Sequence, residues 1–232
     1  MSMSSAQPLP TPSADGDLAK AIEAFRAGSY TESLSQLRPL AEAGVAEAQA
    51  WLGAHYANGF GVESSLPEAF DWYRRAAEQG NIAAATNVGA MLAMGQGVAQ
   101  DRGEGARWLD RAASGGDVMA QYNLATMLSK GDGLPADPAR AASLYRSAAE
   151  AGHYPAQARL GHLYANGIGV EKDRVEAFAW LSLAAQHGVG TALNALEAVI
   201  KEMSAEEKRA GMTRSQSRRI GPVDARINPI PG

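Results

Sequence analysis

Apolar and small residues fall along this chain at helical spacing, three and four apart, and the blocks that carry them recur at a fixed interval. Ala48, Ala84, Ala120 and Ala156 stand 36 residues apart, and Ala192 opens a fifth copy. Gly59, Gly95, Gly131 and Gly167 keep the same step. So do Gly61, Gly97, Gly133 and Gly169, the pair Ala76-Ala77 through Ala184-Ala185, and Gly80, Gly116, Gly152 and Gly188. A period of this length marks an array of stacked units, each too small to bury its own apolar face. The pattern predicts two helices per unit. Helix A runs from the Ala column to the first glycine, as in Ala48 to Asn58, with an inward stripe of Ala48, Leu52, Gly53 and Tyr56. The equivalent stripes are Ala84, Val88, Gly89 and Leu92; Ala120, Leu124, Ala125 and Leu128; and Ala156, Leu160, Gly161 and Tyr164. A mid-helix position that is always Gly or Ala gives up about 1 kcal/mol of helix propensity when it is Gly, a loss that makes sense where another backbone approaches closely. The column expected to face it on helix B is also small: Ala69, Gly105, Ala141 and Ala177. Bulk is expected from Trp72, Trp108, Leu144 and Trp180.

The connection between the two helices reads Gly-x-Gly-Val/Leu-x-x-Ser/Asp. Paired glycines end helix A in the left-handed region, and Val62, Val98, Leu134 or Val170 plugs the gap between hairpins. Ser65, Asp101, Asp137 and Asp173 then stand at the predicted N-cap of helix B. Glu68, Glu104 and Glu176 follow three residues later as capping boxes, while Arg140 breaks the pattern and Pro138 presets the first turn.

Before the repeats, residues 1–14 are rich in Ser and Pro and are expected to form a disordered arm. From about Asp15 a helix with Leu18, Ile22 and Phe25 at helical spacing ends at Gly28, and a second, Thr31 to Gly44, lies one period before Pro67 to Gly80. After Gly188 a fifth helix A lacks a full partner. Ser204 and Glu207 open a polar helix expected to shield the end of the stack, and residues 220–232 read as an extended tail.

The helix A pattern Ala-x-x-x-Leu-Gly-x-x-Tyr, then Gly-x-Gly-Val, Asp, Trp-x-x-x-Ala-Ala and Gly, closely resembles the Sel-one-like repeat family, a relative of the tetratricopeptide repeats. The resemblance covers about Ala46 to Gly190, and 15–45 resembles a tetratricopeptide hairpin. It implies an all-α protein, an α/α superhelix forming one right-handed solenoid over 15–219, with four repeats in 46–190 and capping helices in 191–219. It also implies scaffold work in signalling, envelope or secretion complexes, often in bacteria. Some disulfide-rich relatives bind or hydrolyse β-lactams, but they carry a cysteine pair in each repeat, and this chain has no cysteine.

Composition narrows the chemistry. A net charge of -4 with near-balanced signs leaves no electrostatic footprint for nucleic acid, and no apolar run is long enough to span a membrane. The N-terminus as written shows no secretory signal. The cytoplasm is therefore expected, or the periplasm or exterior if a signal peptide was removed. None of the Gly-x-Gly pairs extends to Gly-x-Gly-x-x-Gly, and each follows a helix, so a dinucleotide fingerprint is excluded. His55, His153, His162 and His187 are scattered, with no His-Glu-x-x-His, and read as surface or groove residues. No catalytic, cofactor or metal site is expected. The basic cluster Arg209, Arg214, Arg218 and Arg219 reads as the face of a capping helix, offset by Glu206 and Glu207.

What remains is a groove on the concave side. By resemblance to tetratricopeptide grooves its lining is Phe25, Arg26, Ala54, Asn58, Thr86, Met94, Tyr122, Thr126, Lys130, His162 and Asn166. Such a mixture suits an extended peptide, its backbone held by the Asn side chains while Tyr122 and Met94 take apolar groups. The expected role is a non-enzymatic, monomeric adaptor for a partner protein or peptide. The alternatives are a lactam-acting enzyme and a structural module that self-associates through its ends.

Overall fold

A computed structural model describes residues 14–218. The expected arm lies outside these residues except for Ala14, which opens the first helix; Arg219 and the tail at 220–232 also lie outside them. The described residues form twelve α-helices and no strand. They fall into two compact units that divide between Asn81 and Ile82.

The first unit holds α1 (Ala14–Arg26), α2 (Tyr30–Glu42), α3 (Ala46–Asn58) and α4 (Leu66–Glu78). Helix α1 pairs with α2 and α3 with α4, while α2 packs against α3. An aromatic cluster of Phe25, Tyr30, Trp51, His55 and Phe60 fills the space between α1, α2 and α3. Its ring centroids include Phe25–Trp51 at 4.8 Å and a Tyr30–Phe60 stack at 4.5 Å.

The second unit holds α5 (Ile82–Met94), α6 (Arg102–Ser114), α7 (Val118–Lys130), α8 (Pro138–Glu150), α9 (Tyr154–Asn166), α10 (Arg174–Gln186), α11 (Gly190–Glu202) and α12 (Ala205–Ser217). Hairpins α5/α6, α7/α8 and α9/α10 pack in succession, and α11 lies on α9 and α10. The last helix folds back onto α10. There Gly211 meets the ring of Phe178, where a Cβ would come within 2.6 Å. Arg214 and Arg218 both bind the Glu176 carboxylate, the latter at 2.7 Å.

The small columns do what their pattern predicts. All four stripes of helix A are buried except Tyr164, which is half-buried, and Ala69, Gly105, Ala141 and Ala177 are buried. The bulk is not where the Trp column placed it. Trp72, Trp108 and Leu144 are only half-buried, and the core residues are their next neighbours Tyr73, Leu109 and Tyr145, matched in the last repeat by Leu181, each no more than 2% exposed. Those neighbours lie four residues after the small column, directly on the stripe facing helix A, whereas the Trp column is rotated off it by a residue. Trp72 and Trp108 instead lie under the guanidinium groups of Arg75 at 4.5 Å and Arg111 at 5.6 Å. Trp180 is buried, with Arg218 4.4 Å above it.

Helix A starts two residues before the Ala column, because its cap precedes the column by three. Asp117 and His153 accept the N–H of Ala120 at 2.8 Å and Ala156 at 3.2 Å. Helix A ends as expected, with Gly59 at φ 71°. The second glycine has a packing duty too: at Gly61, φ 70°, a Cβ would stand 2.8 Å from Thr31 N at the start of α2.

Helix B is capped by the expected residues. Ser65, Asp101 and Asp137 accept the N–H groups of Glu68, Glu104 and Arg140 at 3.4, 2.8 and 2.9 Å. Asp173 accepts from Val175 at 2.8 Å and Glu176 at 3.0 Å. The boxes expected at Glu68, Glu104 and Glu176 are only half formed, because the N–H that each Glu would accept is already taken. Ser65, Asp101 and Asp173 donate it to carbonyls of the preceding helix A, Tyr56, Leu92 and Tyr164, at 2.9, 2.9 and 3.0 Å. Ser204 donates its own N–H to Glu207 at 2.7 Å, completing a box at α12.

A glutamine on helix A ties adjacent hairpins together. Nε2 of Gln49, Gln121 and Gln157 donates to the carbonyls of Ala41, Ala113 and Ala149 at 3.0, 3.4 and 3.2 Å. Each bond adds a second donor to a last-turn carbonyl that also accepts the backbone N–H of Gly44, Gly116 or Gly152.

Candidate functional site

Side chains of α7, α9 and α11 line a cavity of about 210 Å³ walled by Tyr122, Pro155, Ala158, Val189, Thr191 and Ala195. A second, of about 200 Å³, lies between α7, the start of α8 and α9, against Thr126, Lys130, Pro138, Tyr145, Leu163 and Ile168. Arg159 and His162, one helical turn apart on α9, border both cavities.

The walls are fixed from behind. The Thr126 hydroxyl donates to the Tyr122 carbonyl at 3.0 Å and lies 2.9 Å from the Tyr145 hydroxyl, so it is engaged in structure rather than free to attack a substrate. Tyr122 packs its ring 5.7 Å from Tyr145 and 4.6 Å from His153. His153 is half-buried, and burial holds its pKa below the ordinary 6.5. That keeps Nδ1 unprotonated and able to accept the Ala156 N–H that starts α9. Lys130, Arg159 and His162 are exposed. Helices α7 and α9 contain no Asp or Glu, and Glu197 and Glu202 of α11 do not line either cavity, so Lys130 and Arg159 are the charged side chains bordering them. The arrangement offers two adjoining recesses, the second the more apolar, with Arg159 at their shared rim and Lys130 on the second.

Of the residues expected to line a groove, Tyr122, Thr126, Lys130 and His162 are brought together here. Phe25 is buried among the aromatic rings of the first unit, and Ala54 is fully buried. Thr86 is buried with its hydroxyl on the Ile82 carbonyl at 3.3 Å. These three face the core because the hairpins pack more of helix A inward than a four-residue stripe suggests. Arg26 and Asn58 are exposed on the first unit, and Met94 is 58% exposed on α5. Asn58 and Asn166 direct their amide N–H groups to the carbonyls four residues back, Ala54 at 3.1 Å and His162 at 2.8 Å. Arg159 was missed by the column reading, although its place three residues before His162 puts both on one helix face.

His55 departs most from the surface role expected of it. It is fully buried, with Nδ1–H donating to the Phe60 carbonyl at 2.6 Å and Nε2 accepting from the Ser33 hydroxyl at 3.1 Å. Burial pushes its pKa below 6.5, outweighing the opposite effect of the Phe60 carbonyl.

Among the described residues no helix is long and apolar enough to cross a membrane. No protein of curated function matches the sequence. Solved structures do. A protective antigen present in uropathogenic Escherichia coli strains, displaying an SLR fold, is 31% identical with a TM-score of 0.76 over 85% of this chain, which spans 45% of the antigen's length. A Sel1 repeat protein from Oxalobacter formigenes is 27% identical with a TM-score of 0.74, covering 88% of this chain and 83% of its own. An immunity protein from Pseudomonas aeruginosa, 18% identical with a TM-score of 0.50 over 97% of this chain and 91% of that one, shares the fold alone. The Sel1 repeat itself matches residues 46–81, 82–117, 118–153 and 155–189. Four tandem matches over most of the chain, on helix pairs whose small columns and caps recur in the structure, establish that the chain belongs to the Sel1 repeat family.

Proposed function

We propose that the face of the second unit formed by α7, α9 and α11 holds an extended segment of a partner protein, and that the chain acts as an adaptor without catalysing a reaction. Sel1 repeat proteins generally mediate protein–protein interaction, and the family is generally a non-catalytic scaffold. The observation that carries the reading is the pair of adjoining cavities around Arg159 and His162. Each, at about 200 Å³, is smaller than the roughly 300–1,000 Å³ of a usual small-molecule site, and side by side they suit successive side chains of one extended strand. Tyr122 supplies a rigid aromatic wall of the kind that concentrates binding energy.

A photo-crosslinking amino acid placed at Tyr122 or Ala195, with a control at Arg107 on the exposed side of α6, tests the site in the cells the protein comes from. Crosslinks to one partner from Tyr122 and Ala195, absent from Arg107, are expected. Crosslinks from Arg107 alone would place the contact elsewhere.

A further inference from the structure

Resting on that reading, we infer that the segment bound by α7, α9 and α11 is acidic, with a carboxylate held at Arg159 and Lys130 between apolar side chains lodged in the two cavities. The chain as a whole is negative, at -4, yet α7 and α9 carry no acidic residue, and the two on α11, Glu197 and Glu202, do not line the cavities. Some cations elsewhere in the second unit are paired, Arg102 with Asp132 at 2.9 Å, Arg140 with Asp110, and Arg174 with Glu202 at 3.3 Å, whereas those bordering the cavities are not. Among the described residues Lys130 and Arg159 have no ion-pair partner, and two acids close in sequence to Lys130 are engaged elsewhere. Asp132 is held by Arg102, and Asp137 caps α8. An unpaired guanidinium at the shared rim of two recesses can donate two parallel N–H bonds to a carboxylate.

The apolar walls define what flanks that carboxylate. Leu163, Pro138 and Ile168, the last 42% exposed, line one recess, and Tyr122, Pro155 and Val189 the other. A phosphate backbone needs a longer array of cations than two and gains nothing from apolar recesses, so a protein segment fits the face better than nucleic acid. The occupant is an extended peptide with Asp or Glu between apolar residues.

A displayed library of random peptides selected on the full chain tests both the charge and the site. Enriched peptides are expected to carry Asp or Glu flanked by apolar residues. Their fluorescence-anisotropy affinity should weaken about five- to tenfold in Arg159→Ala, less in Lys130→Ala, and should fall with added salt. Helicity is checked by circular dichroism, and Arg107→Ala serves as the surface control. Peptides that are neutral or basic, yet lose binding when Ala195→Trp fills a cavity, overturn the acidic assignment and leave the binding face standing. Peptides indifferent to both Arg159→Ala and Ala195→Trp, or no enrichment at all, overturn the binding face itself. Retention of single-stranded RNA or phosphatidylserine vesicles, lost in Arg159→Ala, replaces the peptide by a phosphate ligand.

Discussion

At Gly105 a methyl group has no room. A Cβ there would stand 2.7 Å from the Gly89 carbonyl oxygen and 2.9 Å from Ala93 N, both backbone atoms that cannot move without moving α5. At Gly161 the nearest atom is Leu181 Cγ at 2.7 Å, a side-chain atom, and the nearest backbone atom, Leu181 N, is farther off at 3.1 Å. Alanine gains about 1 kcal/mol of helix propensity at either site, whereas overpacking costs about 1–3 kcal/mol. Gly105→Ala is therefore expected to lower stability by about 1–2 kcal/mol and Gly161→Ala by less, read from urea midpoints at unchanged slope. A Gly105→Ala variant as stable as the parent would show that the α5/α6 contact yields.

At the scale of the element, each helix B depends on one cap at its start. Asp137→Ala removes the acceptor of the Arg140 N–H and is expected to lower stability by about 1 kcal/mol, while Asp137→Ser keeps most of it. Helix α12 is held differently, by side chains along its length. The Glu176 side chain is 9% exposed and receives both Arg214 and Arg218, so one substitution removes both anchors. Glu176→Gln leaves two exposed cations that water resolvates and an amide of the same shape in place of the carboxylate. The predicted outcome is local: amide exchange in α12 quickens about tenfold or more while α5 and α6 keep their protection. Equal acceleration throughout the unit would mean that Glu176 supports the core of α10 rather than the docking of α12.

For the molecule as a whole, the buried histidines set the pH response. His55 and His153 both have pKa values held below 6.5 by burial, so the unfolded chain takes up protons first as the pH falls. Stability must then decrease from about pH 7 downward and level off below the folded-state values. Burial acts upward on Glu176, but the hydrogen bonds from Arg218 and Arg214 together outweigh it and hold the carboxyl below its ordinary 4.5. Its contribution is present above that value and is lost only as the pH falls through the folded pKa. Two phases are expected in denaturant midpoints, one in the histidine range across the molecule and a later one that releases α12. His153→Asp, which supplies the acceptor found at Asp117 in the equivalent place, should shrink the first phase and leave the His55 part. An unchanged slope would assign the phase to His55 alone.

The sequence by itself determined the all-helical repeat, the register of its hairpins, the glycine stops and the caps at Ser65, Asp101, Asp137 and Asp173. These follow from local rules: helical spacing, left-handed φ and the unpaired N–H groups of a first turn. Tyr122, Thr126, Lys130 and His162 were singled out by the resemblance to tetratricopeptide grooves, and they stand along the two adjoining cavities. Tertiary structure alone decided which of two adjacent bulky positions enters the core, Tyr73 rather than Trp72, since one residue of rotation depends on how the helices cross. It also decided that His55 is buried between Ser33 and Phe60, that Gln157 ties α9 to α8, and that α12 docks on α10 through Glu176. The two cavities belong to the same class: they exist only where α7, α8, α9 and α11 stand side by side, and no spacing along one helix encodes the space between several.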